Sequence, residues 1–339
     1  MKHAPLPGHV AVQEKPVPAP GPGEVRIKVQ ASAVCGSDLT AYRYPPHYHG
    51  FMQVPVILGH EVAGIVDEVG PLVEHFRTGE PVLMESNRYC GTCPHCLQGH
   101  TTSCEKAQIA GLQFDGGMAE YVVAREKILH RIPDGLSYRN ATVAQPLSVV
   151  LHGLVDHIRM PAGGTAVVIG PGIIGNLAAQ AARALGCPKI IVAGIDADED
   201  IRLPVARRLG FETANIQRNL DPILSKHDRA GGFPLVIECS GGYGSFSKAV
   251  ELLAKRGQLL LLGIHKKNDE IDINTIVRRE ISLYGSYTSN WSNYEQALSF
   301  IGSSVLNIDL VVTEYSLNDG VCAFEDALAA RVMKPVLFP

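Results

Sequence analysis

Four cysteines within fifteen residues form the part of the sequence most clearly suited to chemistry: Cys90, Cys93, Cys96 and Cys104. Their thiolates can converge on one tetrahedral Zn²⁺, which would stabilise a loop too polar to build its own core. The other interpretation is a pair of disulfides, but this spacing is more typical of a metal site in a reducing compartment. Four sulfurs leave no coordination position open for a substrate. The sequence therefore predicts a structural zinc here and a reaction elsewhere.

A glycine-rich turn is the second chemical motif, with the sequence Gly170-Pro-Gly172-Ile173-Ile174-Gly175. It follows an apolar, strand-like run and opens a helical pattern. In that context the first glycine permits a tight turn, the second lets a pyrophosphate approach the backbone, and the third lets helix and strand pack closely. The N–H groups at Ile173 and Ile174 can bind phosphate. The motif therefore predicts a dinucleotide site, the alternative being a turn without a ligand.

The residues after the next strand bear on the choice between NAD and NADP. Asp196 lies two positions beyond Gly194, which stands where the ribose-binding carboxylate is expected. If Asp196 binds the ribose, the cofactor is NAD. Otherwise Gly194 leaves room for a 2′-phosphate, with Arg202, Arg207 or Arg208 as its cationic partner, unless these arginines are only a solvated helix face. The sequence favours NAD and leaves NADP open.

Two kinds of periodicity must position these motifs. Between residues 24 and about 130 the pattern is short and β-like, with strands predicted at 25–29, Glu61–Val69, Pro81–Met84 and 118–123. After about residue 150, strands predicted at Thr165–Ile169, 189–193, 235–239 and 258–262 alternate with helices at 173–185, 201–209 and 245–254. Such alternation predicts an α/β fold with a Rossmann doubly wound parallel sheet, preceded by a separate β-rich domain.

Composition excludes several classes of function. The 339 residues fit two domains, and 46% hydrophobic residues supply a packed interior. A net charge of −4 with dispersed basic residues argues against nucleic acid and against a membrane surface as partners. The first residues lack the apolar run of a secretion signal, and no apolar stretch is long enough to span a bilayer, so we expect a cytoplasmic protein.

Two further segments could hold a second metal: Cys35-Gly36-Ser37-Asp38 and His60-Glu61. Each alone is weak, because a histidine beside a strand is more often structural. Together with the motifs above, however, they resemble the zinc-dependent medium-chain alcohol dehydrogenases, and most closely the polyol (sorbitol) and threonine dehydrogenase branch. The resemblance covers nearly the whole chain and includes Gln145-Pro-Leu-Ser-Val149, His152, Asp115-Gly-Gly-Met-Ala-Glu-Tyr121 and Glu238-Cys-Ser-Gly241.

The resemblance implies a role for each residue of the second site. Cys35 and His60 would ligate a catalytic zinc, with Glu61 as a third ligand or as a partner of the ligands. Ser37 would pass the substrate proton outward, and Asp38 would support His60. Zinc would lower the pKa of the substrate hydroxyl, and the nicotinamide would accept the hydride. Two zinc ions per chain are therefore expected, one catalytic and one structural.

Two positions depart from the branch. Gln145 stands where a glutamate is usual, and a neutral amide near the catalytic zinc should bind the metal less tightly. Thr40 stands where a histidine commonly serves the proton path. Polar side chains that could line a substrate pocket, or could equally be loop surface, are Tyr42, Tyr44, His47, His49, Gln113 and Asp115.

The predicted function is hydride transfer between a nicotinamide cofactor and a secondary alcohol, namely a polyol, cyclitol or related metabolite. The alternatives are a zinc-free medium-chain reductase of activated double bonds and a non-catalytic NAD(H)-binding protein. The predicted domains are a GroES-like catalytic domain at 1–150 and 290–339 and a Rossmann domain at 151–289. By resemblance, the β-like run at 281–284 pairs two subunits, and a homodimer or homotetramer is expected.

Overall fold

A computed structural model describes residues 1–218 and 231–339. The strands are β1 (Glu24–Ala33), β2 (Glu61–Val69), β3 (Pro81–Met84), β4 (Asn87–Arg88), β5 (Gln108–Ile109), β6 (Tyr121–Arg125), β7 (Leu129–Arg131), β8 (Thr165–Ile169), β9 (Lys189–Gly194), β10 (Glu212–Asn215), β11 (Phe233–Glu238), β12 (Leu253–Leu261), β13 (Ser282–Gly285), β14 (Val312–Ser316) and β15 (Lys334–Phe338). The α-helices are α1 (Gly36–Arg43), α2 (Pro94–Leu97), α3 (Tyr138–Ala141), α4 (Ala144–Asp156), α5 (Ile173–Ala184), α6 (Arg202–Arg208), α7 (Ser245–Leu252), α8 (Ile273–Arg278), α9 (Trp291–Gly302) and α10 (Gly320–Leu328).

The chain forms two compact units. The first contains Met1–Gln145, Asn290–Ser303 and Val312–Pro339, and the second contains Pro146–Ser289 and Ser304–Val311. The predicted assignment of 1–150 with 290–339 to catalysis, and of 151–289 to the dinucleotide, stays a prediction. Among the described residues, no helix combines the length and the apolar character needed to cross a membrane.

The first unit is built on a seven-stranded sheet with the order β14-β15-β1-β2-β3-β7, and β6 also pairs with β1. Strand β1 is central because its first half pairs with β6 and its last residues pair with β15, while β2 runs along its other edge. Val25, Ile27 and Val29 alternate along β1 and are buried. This period of two turns one face into the core, as expected for an antiparallel strand.

The second unit is a six-stranded parallel sheet with the order β10-β9-β8-β11-β12-β13. The order reverses at β8, and the strands inside the sheet are near-continuous apolar runs such as Thr165–Ile169, which is buried from Ala166 onward. Parallel strands covered on both faces need such runs. The predicted doubly wound parallel sheet is therefore confirmed, and its switch point lies beside the glycine-rich turn that follows β8.

Several predicted bounds differ from the structure, and two of them show why. The strand predicted at 118–123 is Tyr121–Arg125; it begins late because Gly117 and Met118 donate backbone hydrogen bonds to Gly59 and Leu58 instead of joining β1. The helix predicted at 245–254 ends at Leu252. Its last two residues belong to β12, where Leu253 pairs with Phe233 of β11. The apolar run around Leu253 has neither a helical nor a strand-like period in its sequence, so pairing with β11 decides its structure.

Candidate active site and metal centres

The four clustered cysteines lie in a small lobe closed at its base by the pairing of β4 with β5. Their sulfur atoms all lie within 4.8 Å of one another. Backbone N–H groups of Thr92 and Cys93 donate to Cys90 Sγ at 3.5 and 3.3 Å, and these bonds lower the pKa of Cys90 to about 6. N–H donors that favour thiolate and four convergent sulfurs fit a closed zinc site.

The predicted catalytic donors form a second group in the same unit. Cys35 precedes α1, His60 precedes β2, and Glu61 is the first residue of β2. Their donor atoms lie within 4.8 Å of one another, with His60 3% and Glu61 0% exposed. Sulfur, nitrogen and oxygen are all zinc donors, and three protein ligands leave one position of a tetrahedron open.

Unsatisfied atoms in this group test whether it fits a metal. Among the described residues, His60 Nδ1 and both carboxylate oxygens of Glu61 have no hydrogen-bond partner although all three are buried. Burying polar atoms without partners costs free energy. Burial lowers the pKa of His60, but the negative charges of Asp38 and Cys35 outweigh that effect and raise it to about 9. A site this attractive to positive charge, with unsatisfied carboxylate oxygens on Glu61, fits Zn²⁺.

Asp38 joins the two donor segments. Its buried carboxylate accepts the N–H of Cys35 at 2.9 Å and the N–H of Gly59 at 3.2 Å. Its Oδ1 lies 3.8 Å from His60 Nδ1. A carboxylate on that side of the ring favours the tautomer with a proton on Nδ1 and leaves Nε2 to bind a metal. The expected support of His60 by Asp38 agrees with this geometry.

The remaining residues predicted near the catalytic zinc have these positions. Ser37 Oγ lies 3.3 Å from His60 Nε2, on the metal-facing side of the ring. Thr40 Oγ1 bonds to the carbonyl of Gly36 on its own helix, as helical threonines commonly do. Gln145 is 6% exposed, and its Nε2 donates to Ser86 Oγ at 3.4 Å. Because the amide nitrogen of Gln145 is engaged there, its carbonyl oxygen is the atom of this side chain that could act as a metal donor.

Four of the candidate pocket residues pack against other aromatic rings, and the remaining two hold loop backbone. Tyr44 stacks on His49 with ring centroids 4.9 Å apart, and Tyr42 packs against Phe324 at 5.7 Å. His47 lies edge-on to Tyr48 in the adjoining 3₁₀ turn. The other two have structural partners: Gln113 Oε1 accepts the N–H of Ile109, and Asp115 accepts the N–H of Ile57 and pairs with Lys15.

The glycine-rich turn has the geometry that its sequence predicts. Gly170 has φ +100°, and a Cβ at Gly175 would lie 1.8 Å from the carbonyl oxygen of Gly170. Both positions therefore require glycine within the protein itself. Gly172, the N-cap of α5, differs because a Cβ there would meet nothing within 4 Å. Open space over exposed helix N–H groups is a cradle that fits a pyrophosphate.

The end of β9 holds two carboxylates in different environments. Asp196 is 64% exposed and accepts from Asn215 at 2.8 Å and from Arg218. Asp198 is buried, accepts the N–H of Ile195 at 3.0 Å, and pairs with Arg202 at 3.0 Å. A Cβ at Gly194 would lie 3.0 Å from both Asp198 Oδ2 and Pro171 of the glycine-rich turn. Asp198 is thus next to this turn and was missed from the sequence.

Comparison with known proteins places this chain in a family. The model of the alcohol dehydrogenase GroES-like domain matches residues 21–134, and that of the zinc-binding dehydrogenase domain matches residues 174–303. A sorbitol dehydrogenase from Halalkalibacterium halodurans is 34% identical over 98% of this chain and 96% of its own length. The chain belongs to the zinc-type alcohol dehydrogenase family. The resemblance seen in the motifs and the GroES-like fold of the first unit are confirmed.

Other members of the zinc-type alcohol dehydrogenases are comparably similar. A D-arabitol-phosphate dehydrogenase from Enterococcus avium is 30% identical over 99% of this chain and 96% of its own. A zinc-binding dehydrogenase from Sinorhizobium meliloti, solved bound to NADP, superposes with a TM-score of 0.88 at 29% identity, covering 98% of this chain and 96% of that one. This chain is accordingly an oxidoreductase of the zinc-dependent, nicotinamide-using type, as predicted. The individual site residues stay predictions.

For one residue that contacts the predicted catalytic group, the sequence offers no indication of that contact. Lys334 is 1% exposed, and its ammonium pairs with Glu61 Oε2. No motif surrounds it, and it lies more than 270 positions after Glu61. Its only signal is a lysine at the start of an apolar strand-like run, a pattern that is usually a strand end in solvent.

Proposed function

We propose that this enzyme transfers a hydride between a nicotinamide cofactor and a secondary alcohol of the polyol or cyclitol class. The sorbitol and D-arabitol-phosphate dehydrogenases among its relatives support that class, since each is named for a polyhydroxylated substrate. The aromatic and polar side chains of Tyr42, Tyr44 and His49, close to α1 in sequence, are suitable for contacts with a hydroxylated carbon chain.

The observation that carries the proposal is the group of half-buried Cys35 with buried His60 and Glu61, whose carboxylate oxygens are unsatisfied, in a unit that also holds a separate four-sulfur site. We assign these three residues to the catalytic zinc and Cys90, Cys93, Cys96 and Cys104 to the structural zinc. Zinc in such a site supplies Lewis acidity to an alcohol oxygen, and a nicotinamide supplies the hydride acceptor.

The side chains around the donors would orient the metal ligands and move the proton. Asp38 holds Cys35 and Gly59 through their N–H groups and places its carboxylate 3.8 Å from His60 Nδ1, so the donors are preorganised. Ser37 is half-buried, and its hydroxyl lies beside the metal-facing nitrogen of His60. It is the group best suited to receive the alcohol proton and pass it toward solvent. Thr40 does not extend this path, because its hydroxyl is bonded to Gly36.

For the cofactor we propose the cradle at Gly172 as the pyrophosphate site and NAD as the preferred form. Asp196 and Asp198 make the end of β9 acidic, and Arg202 is already paired with Asp198. Negative charge at this point disfavours a 2′-phosphate. NADP stays possible, since the Sinorhizobium meliloti relative was solved with it.

The proposal also covers the roles of the two units, the assembly of the protein and its location. The first unit would be the catalytic domain and the second the dinucleotide domain. Strand β13 is the last strand of the parallel sheet, and its edge would pair with a second copy to give a homodimer, or a homotetramer by further contacts. Light scattering that shows a monomer would reject this assembly. A cytoplasmic location is proposed because all eight cysteines are free thiols and a four-thiolate zinc site needs reducing conditions.

The decisive experiment combines metal analysis with turnover. Wild-type protein should retain two zinc ions per chain and oxidise at least one alcohol in a panel of polyols, cyclitols and amino alcohols assayed with NAD and with NADP. Cys35→Ser should retain one zinc and lose turnover. The exposed thiol Cys322 offers a matched control, since Cys322→Ser should keep both metals and full activity.

Each negative result has a defined meaning. One zinc per chain in the wild-type protein would exclude the catalytic zinc and favour a medium-chain reductase that lacks it. Two zinc ions with cofactor binding but no turnover on any alcohol would favour a binding protein. A preference for NADP over NAD would reject only the assignment of the acidic residues at β9.

A further inference from the structure

A buried lysine contacts both chain segments that carry the proposed zinc donors. The ammonium of Lys334 forms an ion pair with Glu61 Oε2 and donates a hydrogen bond to the carbonyl of Val34 at 3.1 Å. Val34 immediately precedes Cys35, and its own N–H donates to the carbonyl of Pro335 at 2.9 Å. One side chain therefore connects the segment of Cys35 to Glu61.

Sheet register fixes this lysine in place. Ala33 of β1 pairs with Glu61 on one side and with Val336 of β15 on the other. Residues paired directly across strands share a face, and so do alternate residues along one strand. Lys334, two residues before Val336, consequently lies on the same face as Glu61. At 1% exposure it has little freedom to point elsewhere.

The ion pair makes the two oxygens of Glu61 unequal. Neither oxygen has a partner with hydrogen-bond geometry among the described residues, but Oε2 forms the ion pair with the ammonium. Buried ion pairs contribute little net stability, so stability alone explains this pair poorly. An ammonium beside a carboxylate weakens that carboxylate as a metal donor and repels a nearby dication, and both effects are stronger inside a protein than in water.

We propose that Lys334 is a positioning residue that acts through Glu61. By holding Oε2 it restricts the carboxylate to one oxygen, Oε1, for the metal and reduces its donor strength. The zinc then keeps more of its Lewis acidity and an open position for the alcohol. This inference rests on the proposed function, because it takes Cys35 and His60 as the other ligands.

The test uses Co²⁺, whose visible absorption reports coordination number, exchanged into the full-length protein. The spectrum of the Cys35→Ser variant is subtracted so that only the catalytic site contributes. In Lys334→Met, Glu61 is released, and we expect weaker cobalt bands because the second carboxylate oxygen binds. Metal loss to a chelator should also slow by about tenfold. Lys334→Arg, which keeps the charge, should stay close to wild type.

Two controls separate this role from a structural one. Lys2 is another fully buried lysine of the same unit, bonded to the carbonyl oxygens of Leu6 and Tyr42, so Lys2→Met should leave the cobalt spectrum unchanged. In a Glu61→Gln background, Lys334→Met should have no further effect on spectrum or metal loss, since its route of action is gone.

The opposite outcomes overturn the inference. If Lys334→Met loses metal faster than wild type, or if its effect persists with Glu61→Gln present, the lysine only holds the fold together. A wild-type protein with no cobalt signal beyond that of Cys35→Ser would instead defeat the proposed catalytic site itself.

Discussion

Two glycines of the same turn should respond in opposite ways to one added methyl group. Gly175 packs α5 against the turn, while Gly172 faces open space. We therefore expect Gly175→Ala to damage the fold before any cofactor is present. Gly172→Ala should leave the fold intact and impair only cofactor binding. The pair separates packing from ligand binding within four residues.

The structure gives the magnitudes. A methyl carbon at Gly175 would lie 1.8 Å from the oxygen of Gly170, whereas a comfortable contact needs about 3.5 Å. The turn must shift by roughly 1.7 Å, and such overpacking costs about 1–3 kcal/mol or more. At about 2–4 °C per kcal/mol, Tm should fall by about 6–12 °C for a 3 kcal/mol loss.

Gly172 already has backbone angles that alanine adopts readily, φ −70° and ψ −170°. A small loss at the N-cap and a small gain in unfolded-state entropy should nearly cancel, so the free energy of unfolding should change by less than about 1 kcal/mol. The methyl group would occupy the space through which the pyrophosphate approaches. We expect Kd for NADH to rise at least about tenfold, equivalent to about 1.4 kcal/mol.

Thermal unfolding of the cofactor-free protein and calorimetric titration with NADH measure the two effects. Gly302→Ala is the matched control, because a Cβ there also meets nothing and the residue ends α9 in the first unit. It should leave NADH affinity unchanged and should not lower Tm. Wild-type NADH affinity in Gly172→Ala would refute the cradle, and a wild-type Tm in Gly175→Ala would refute the packing argument.

Three further substitutions test other parts of the chain. Gln145→Glu should raise zinc retention during dialysis against a chelator, because an anionic donor replaces an amide near the metal; unchanged retention would count against a role for this position. Cys104→Ser should remove one zinc and expose the lobe to proteases, since the metal provides its folding energy; full zinc content would contradict the four-sulfur site. Tyr294→Phe removes the hydroxyl that accepts the buried N–H of Ser86 at 3.0 Å. The free energy of unfolding, measured in urea, should fall by about 1–3 kcal/mol, and a fall below about 0.5 kcal/mol would be inconsistent with that bond.

Sequence alone predicted the elements whose own pattern is strong. Strands β2, β3 and β8 have the predicted bounds. Each has a clear period of its own and a turn signal at its ends. The apolar run through Leu253 has neither, so its state depended on pairing with Phe233, which lies 20 positions earlier.

The candidate sites show the same difference between signals that are local in sequence and contacts that depend on long-range pairing. The four cysteines are close in sequence, so their spacing alone predicted the group that the structure brings together. Cys35 and His60 are 25 residues apart, and the long-range pairing of β1 with β2 brings them together. Their roles were accessible through the family resemblance, whereas spacing alone was weak evidence.

Lys334 shows where sequence reasoning ends and why. A charge at the start of an apolar run is normally solvated, and local pattern gives no reason to bury it. Its burial follows from the insertion of β15 between β14 and β1, which sets Val336 opposite Ala33 and so aligns the lysine with Glu61 across three strands. Motifs therefore identify donor atoms, because metal donors come from a few residue types and often lie close together in the sequence. The charges that tune those donors are fixed by long-range strand register, and at this site the tuning charge comes from the last strand of the chain.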